Sequence, residues 1–309
     1  MVDVSLASFT NFTNKTSGQG DTADVPPVAG AIIIIIINTI TFPCTVVLNA
    51  LVIKAVKTTP RLRTNSNILL ACLAVTDALT GILGQPFFVL WKIFLLFGLS
   101  DSKTFENCYY GTVIMLLIAS YLHLMLVTFE RLVAIRFTMQ YPNIITENNM
   151  KIAVLVVWII SSIWGIFEAM ELDLALRFMS GSVTSSCIIF LCVAYFIMYR
   201  ETRRHQEKIK TQQLPQEEVE KFTKENKALK TTLYVICAVL FCLLPLCFCL
   251  IVTATGLYAS CPIDLSLMQT FTMFNSLVNP LIYCWRQKEM RNVIFGMRTH
   301  VVHSDIRNR

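Results

Sequence analysis

Charge is what this sequence has least of. Asp, Glu, Lys and Arg make up 15% of its 309 residues, where an ordinary soluble domain carries about 25%. A chain so poor in charge cannot cover itself with water-seeking side chains, which excludes a soluble globular fold. Histidine is scarcer still, with four residues. There is no HExxH run and no CxxC pair at metal-ligand spacing, so no zinc centre is expected. Neither a Walker loop nor a GxSxG elbow occurs, which removes common signatures of nucleotide hydrolysis and acyl transfer. A formal charge of +6 is too modest to suggest a nucleic-acid surface. No basic stretch followed by a short apolar core opens the chain, so no cleaved signal peptide is expected and the first apolar segment would itself be the targeting signal.

What is present is apolar. Hydrophobic residues reach 55% and the mean hydropathy is +0.60, values of a protein that crosses a membrane several times. A span needs about 20 apolar residues, and seven such segments occur, at 28–56, 67–91, 109–135, 152–170, 178–199, 229–257 and 265–285. The β-branched run 32–37 has strand propensity, but its segment is too long and too apolar for a strand. Most of the 11 cysteines (Cys72, Cys187, Cys192, Cys237, Cys242, Cys247 and Cys249) lie inside these runs, where a thiol is a small hydrophobe.

Seven spans put the termini on opposite sides, and charge says which is which. Lys54, Lys57, Arg61 and Arg63 follow span one; Arg131, Arg136 and Lys151 surround the connection after span three; a basic stretch from Arg200 to Lys230 precedes span six. The alternate connections hold Lys92, Asp101, Lys103 and Glu106, then Glu168, Glu171, Asp173 and Arg177, then Asp264. The N-terminus is therefore expected outside and the C-terminus in the cytoplasm. Sequons at Asn11 and Asn14 agree with an extracellular, glycosylated tail. The expected organisation is a glycosylated tail over 1–27, a seven-span domain over 28–285, and an amphipathic helix with a cytoplasmic tail over 286–309.

Polar groups inside spans must be satisfied internally and are usually functional. Span seven, 269–285, carries Asn275, Ser276 and Asn279, with Pro280 beside them. Span two contributes Asp77, span one Asn49 and span three Ser120, all near mid-depth. Together they make one polar pocket around a carboxylate, suited to a small hard cation. His123 has no carboxylate neighbour in sight and reads as a hydrogen bond between helices. Glu130 and Arg131 form an ionisable pair at the inner end of span three.

The order LNALV, LACLAVTD, ERLVAI, Trp158, Tyr195 before RETRRH, FCLLP and NPLIY, one element per span, resembles the rhodopsin-like (class A) G-protein-coupled receptors along essentially the whole membrane domain. The resemblance implies an all-α membrane protein: a seven-transmembrane helix bundle with a short amphipathic juxtamembrane helix. It implies coupling to a heterotrimeric G protein, with an arrestin, a receptor kinase and membrane lipid as further partners. Arg131 would be held at rest by Glu130 and Glu225, and span six, kinked at Pro245, would swing outward on activation. Tyr195 and Tyr283 would steady the open state, with Asn279 and Pro280 part of the same switch. Asn49, Asp77, Ser120, Asn275, Ser276 and Asn279 would hold a sodium ion as an allosteric ligand.

The chain departs from that family in telling places. Leu243 stands where a tryptophan is usual, Val239 replaces a phenylalanine, and Cys187 stands where span five usually has a proline. Glu106 stands where that family usually has a cysteine atop span three, with Cys108 two residues on, and Cys108 could pair with Cys261 before span seven. A short second outer loop without cysteine is shared with melanocortin, cannabinoid and lysophospholipid receptors. Val113 replaces the aspartate that binds amines in that family, and Met273 replaces the lysine that binds retinal. Val113, Leu117, Met179, Leu246, Leu250 and Met273 would line an apolar ligand cavity, with Tyr110, Gln269 and Thr272 as polar handles. That favours a lipid or hydrophobic small molecule, whereas the outer acids Glu106, Glu168, Glu171 and Asp173 favour a cationic peptide or a divalent ion. The competing class, a transporter or channel, predicts internal repeats or broken helices at mid-membrane, and no repeat is visible.

Overall fold

In the computed structural model, the polar side chains point inward and the apolar ones outward. Its description covers residues 28–170, 174–211, 216–254 and 263–295, and leaves out the side chains of 174–185 and of several residues from 205 onward. Asn38, Thr45, Asn49, Asp77 and Ser161 are fully buried, while Ile33, Ile36, Ile40, Ile152, Leu155, Ile159 and Ile166 are exposed. A soluble protein arranged this way would have an apolar exterior many times larger than water tolerates. In a bilayer it is the expected arrangement, because lipid solvates the outside and buried polar groups pair within.

Seven long helices make the bundle among the described residues: α1 Val28–Thr58, α2 Asn65–Leu96, α3 Ser102–Arg136, α4 Glu147–Ala169, α5 Leu174–Thr211, α6 Gln216–Ala254 and α7 Leu265–Arg286. A short α8, Lys288–Ile294, follows. The first four are long and apolar enough to cross a membrane on length and composition alone. Helix starts are marked by side chains that satisfy free backbone donors. Thr64 Oγ1 accepts from the Asn67 amide at 3.3 Å and Thr146 Oγ1 from the Asn149 amide at 3.2 Å. Asp264 Oδ1 accepts from Ser266 and Leu267.

The main core joins Val52 of α1, Leu69 and Leu70 of α2, Leu124 of α3, Leu191 of α5, Val235 of α6, Tyr283 of α7 and Met290 of α8. Met290 anchors the amphipathic helix expected after span seven. A second cluster above it joins Ile34, Phe88, Trp91, Tyr109 and Met273. Small residues set the closest helix approach: a Cβ on Gly111 would come within 2.6 Å of Ala169 Cβ, and one on Gly165 within 2.7 Å of the Gly111 carbonyl. That is the close packing small residues permit in membranes.

Three expectations need correction. Span two does not end before Lys92; α2 continues to Leu96, and Lys92 lies buried within it. Its ammonium sits 3.7 Å from the Trp91 ring centroid and 5.4 Å from that of Phe88, so cation–π attraction and stem packing hold it off the loop surface. Lys103 and Glu106 likewise belong to the first turns of α3, not to a connection. The basic stretch before span six is mostly helix, since α5 runs to Thr211 and α6 begins at Gln216. Its Glu, Lys, Gln and Arg residues are strong helix formers.

Helix α2 is interrupted by a π-helical stretch, Thr80–Gly84, that begins within one turn of Asp77. Gly81 there lies against α1; a Cβ would come within 2.8 Å of Val46 and 3.2 Å of the Phe42 carbonyl.

Candidate functional site

Pro280 has no N–H, so the Ser276 carbonyl one turn earlier has no helical donor. Asn49 of α1 supplies one. Its Nδ2 donates to the Ser276 carbonyl at 2.9 Å and to the Thr45 carbonyl at 2.9 Å. On the same face, Asn279 Nδ2 donates to Asp77 Oδ2 at 2.8 Å. Helices α1, α2 and α7 are thus joined at mid-depth by the residues that span seven's polar pattern singled out.

The pocket they form is rich in acceptors and short of donors. Asn49 Oδ1, Asp77 Oδ1, Asn275 Oδ1 and Asn279 Oδ1 are buried with no direct hydrogen-bond partner, as is the Tyr283 hydroxyl. Buried polar atoms are normally paired, so one unpaired carboxylate oxygen and three unpaired amide oxygens are a donor set of the kind that suits a small hard cation or ordered water. Ser120, Asn275 and Ser276 also line the deep end of a small cavity. Its walls include Val113, Leu117, Thr272 and Met273. Val113, Leu117 and Met273 thus share this cavity with Ser120, Asn275 and Ser276, whereas Asn49, Asp77 and Asn279 do not line it. Above it, Gln269 Nε2 donates to the Tyr110 hydroxyl at 3.0 Å, which ties α7 to α3.

At the other end of α3, Glu130 and Arg131 are both buried. Arg131 Nε donates to Glu130 Oε2 at 2.5 Å and Nη2 to Oε1 at 2.6 Å, a bidentate pair of the strong kind. The Tyr141 hydroxyl donates to Glu130 Oε1 at 2.7 Å, and Asn65 Nδ2 of α2 donates to that hydroxyl at 3.2 Å. Tyr141 opens a one-turn helix between α3 and α4. Burial, then the hydrogen bond and charge of Glu130, push its phenol up to about 12, so it remains a donor at any physiological pH. Tyr195 packs beside Ile135, Met198 and Leu229 near this end.

Sequence reasoning missed Tyr141 and Asn65. It also missed a second buried polar tier, in which Asn38 Nδ2 donates to Thr270 Oγ1 at 3.0 Å and Gln85 Nε2 to Thr41 Oγ1 at 3.0 Å. Asn38 and Gln85 were detectable by the same rule that found Asp77, as polar residues within apolar spans. His123 does not bridge helices by a hydrogen bond. Its Nδ1 pairs with the Ala119 carbonyl one turn back at 2.7 Å, and its ring meets Trp158 of α4 edge-on at 5.9 Å; an aromatic neighbour replaces the polar one. Leu243 fills the tryptophan position as a core residue. Cys108 is an exposed free thiol. Its suggested partner Cys261, the sequon residues Asn11 and Asn14, and the side chains of Met179, Glu225, Leu246 and Leu250 lie outside the described residues.

A family model described as 7 transmembrane receptor (rhodopsin family) matches residues 48–187 and 174–283. The chain belongs to the rhodopsin family of seven-transmembrane receptors. The receptor is 36% identical to the histamine H2 receptor of Cavia porcellus over 38% of its own length and 32% of that protein. It is 30% identical to the histamine H2 receptor of Canis lupus familiaris, over 47% and 39%, and 24% identical to the adenosine receptor A2a of Equus caballus, over 89% and 74%. The matched part thus spans about a third of the length of the histamine receptors. Membership makes the receptor a multi-pass membrane protein with a seven-helix bundle, and a receptor rather than an enzyme.

Proposed function

We propose that the receptor converts binding of an extracellular ligand in the α3–α7 cavity into activation of a heterotrimeric G protein at the opposite face. The observation that carries this reading is the closed clamp on Arg131, held by Glu130, which is held in turn by Tyr141. An arginine this buried, and held bidentately by its neighbour, is a group kept out of contact until a movement frees it. Outward displacement of α6 about Pro245 is that movement. The N-terminus lies outside, with Asn11 and Asn14 glycosylated, and the Arg131 end faces the cytoplasm. Arrestin and a receptor kinase are further partners, on the family resemblance alone.

The ligand is a lipid or another hydrophobic small molecule. Val113, Leu117 and Met273 line the cavity where recognition of a protonated amine such as histamine would need an acid. Sodium at Asp77 is the allosteric ligand of the resting state. With one carboxylate and otherwise neutral oxygens, the pocket suits a monovalent ion better than a divalent one.

The test is nucleotide exchange on a panel of purified Gα subunits by the receptor in nanodiscs, with and without lipid extracts as agonist sources. Exchange above the receptor-free rate that disappears in Arg131→Ala is the expected result. No acceleration of any Gα, under any extract, would sink the reading.

A further inference from the structure

The inner halves of α1 and α2 part on the side facing lipid. Ile68, Ala71, Cys72 and Val75 recur at the spacing of one helical face on α2. They line, with Ile53 and Val56 of α1, a groove of about 580 Å³, counting its open side. Ile68 and Val75 are 39% and 37% exposed, so the groove opens outward. Its walls are apolar, but its inner rim is not: Lys57 and Arg63 line that end.

The rim belongs to a segment, 54–63, that holds Lys54, Lys57, Arg61 and Arg63 and no acid. All four are exposed, and no carboxylate among the described residues pairs with them. Arg63 is held in place against α1, because its Nε and Nη2 donate to the Lys57 carbonyl, Nε at 3.1 Å. Two of the five guanidinium donors are used and the rest remain available for an acceptor. An apolar slot ending in a pre-positioned arginine and a lysine is complementary to a molecule with an aliphatic tail and an acidic head.

We propose that this groove binds one inner-leaflet phospholipid with an anionic headgroup, its acyl chain between α1 and α2 and its head on Lys57 and Arg63. Basic clusters just cytoplasmic of a span favour such lipids. A sterol would fill the slot and leave both cations unpaired. A phosphatidylcholine headgroup has no net charge to offset the two cations, whereas phosphatidylserine carries one net negative charge. The groove also adjoins the joint between the first inner connection and α8: Asn67 donates to the Leu62 carbonyl at 3.0 Å and accepts from Gln287 at 3.2 Å. Occupancy braces that joint, so bound lipid raises the melting temperature.

The experiment is native mass spectrometry of the purified full-length receptor with dioleoyl phosphatidylserine, dioleoyl phosphatidylcholine, cholesterol or soluble glycerophosphoserine. Phosphatidylserine should give the dominant adduct. K57Q/R63Q should weaken it roughly 30-fold, whereas K227Q/K230Q, which removes the same charge from α6, should not. A71F, which fills the slot and leaves the rim intact, should weaken it as well. In the unaltered receptor, phosphatidylserine should slow maleimide labelling of Cys72, followed by peptide mapping, at least several-fold. This readout decides the matter even where a variant fails to fold. Equal adducts from the two phospholipids, protection of Cys72 by cholesterol instead, binding of glycerophosphoserine alone, or an unaffected folded K57Q/R63Q would each overturn the proposal.

Discussion

At the scale of single residues, the polar site is held by compensation for one proline. Asn49 makes the hydrogen bond that Pro280 denies Ser276, and Asn49→Ala should leave that buried carbonyl unpaired, at a cost of roughly 1–3 kcal/mol. Thermal unfolding should show a melting point lower by several degrees, and P280A should recover part of the loss by restoring an N–H. Asp77→Asn should keep the bond to Asn279 in altered form yet abolish the effect of sodium on basal exchange; sodium dependence that survives would remove the cation site. Tyr141→Phe deletes the hydroxyl donor on Glu130 and should raise basal nucleotide exchange about fivefold, for a bond worth about 1 kcal/mol. These residues were unequally visible in advance. Asp77, Asn49 and Asn279 stood out because lipid penalises polar side chains, so their presence alone implied partners. Tyr141 sits between spans, where an aromatic carries no such penalty, and only the folded path of the chain brings it to Glu130.

Among elements, the tightest constraint is the crossing of α3 and α4. Gly111 and Gly165 face one another at a separation that leaves no room for a methyl group. Gly165→Val should force the helices apart, at about 1–3 kcal/mol for overpacking. Lower yield at the cell surface and a depressed melting point would be measured; unaltered values would show that the crossing yields. The seven spans were legible because each is an apolar run of sufficient length. Their ends were not. Lys92 read as a loop residue by its charge, yet Trp91 and Phe88 give the ammonium a place inside the helix. The polar ends of α5 and α6 on either side of 212–215 read as loop, although their residues favour helix.

For the molecule as a whole, the exterior is the apolar side and orientation is carried by charge at the rims. Asn11→Gln with Asn14→Gln should remove a glycosidase-sensitive mobility shift from the expressed receptor. A receptor without that shift before mutation would contradict an outside N-terminus. Buried polar residues form a seam of separate tiers along the bundle: Asn38 with Gln85, Asn49 and Asp77 with α7, and Glu130 with Arg131. Sequence showed the middle of that seam. The upper tier and the Tyr141 clasp depend on which helix faces meet, which a linear pattern does not encode.

The π-helical stretch at Thr80–Gly84 has a consequence for how α2 tolerates changes of length. A π turn accommodates one surplus residue within an α-helix, and each α-helical residue turns the chain by about 100°. Removing one residue inside 80–84 would regularise the helix and keep Trp91 and Lys92 in their present directions. Removing one anywhere between 85 and 91 would instead swing that end round by about a quarter turn and carry the aromatic cluster away from Tyr109. Single-residue deletions along α2 should therefore be forgiven at the bulge and punished above it, which makes the bulge the place where this helix can change length while retaining the phase of its outer end.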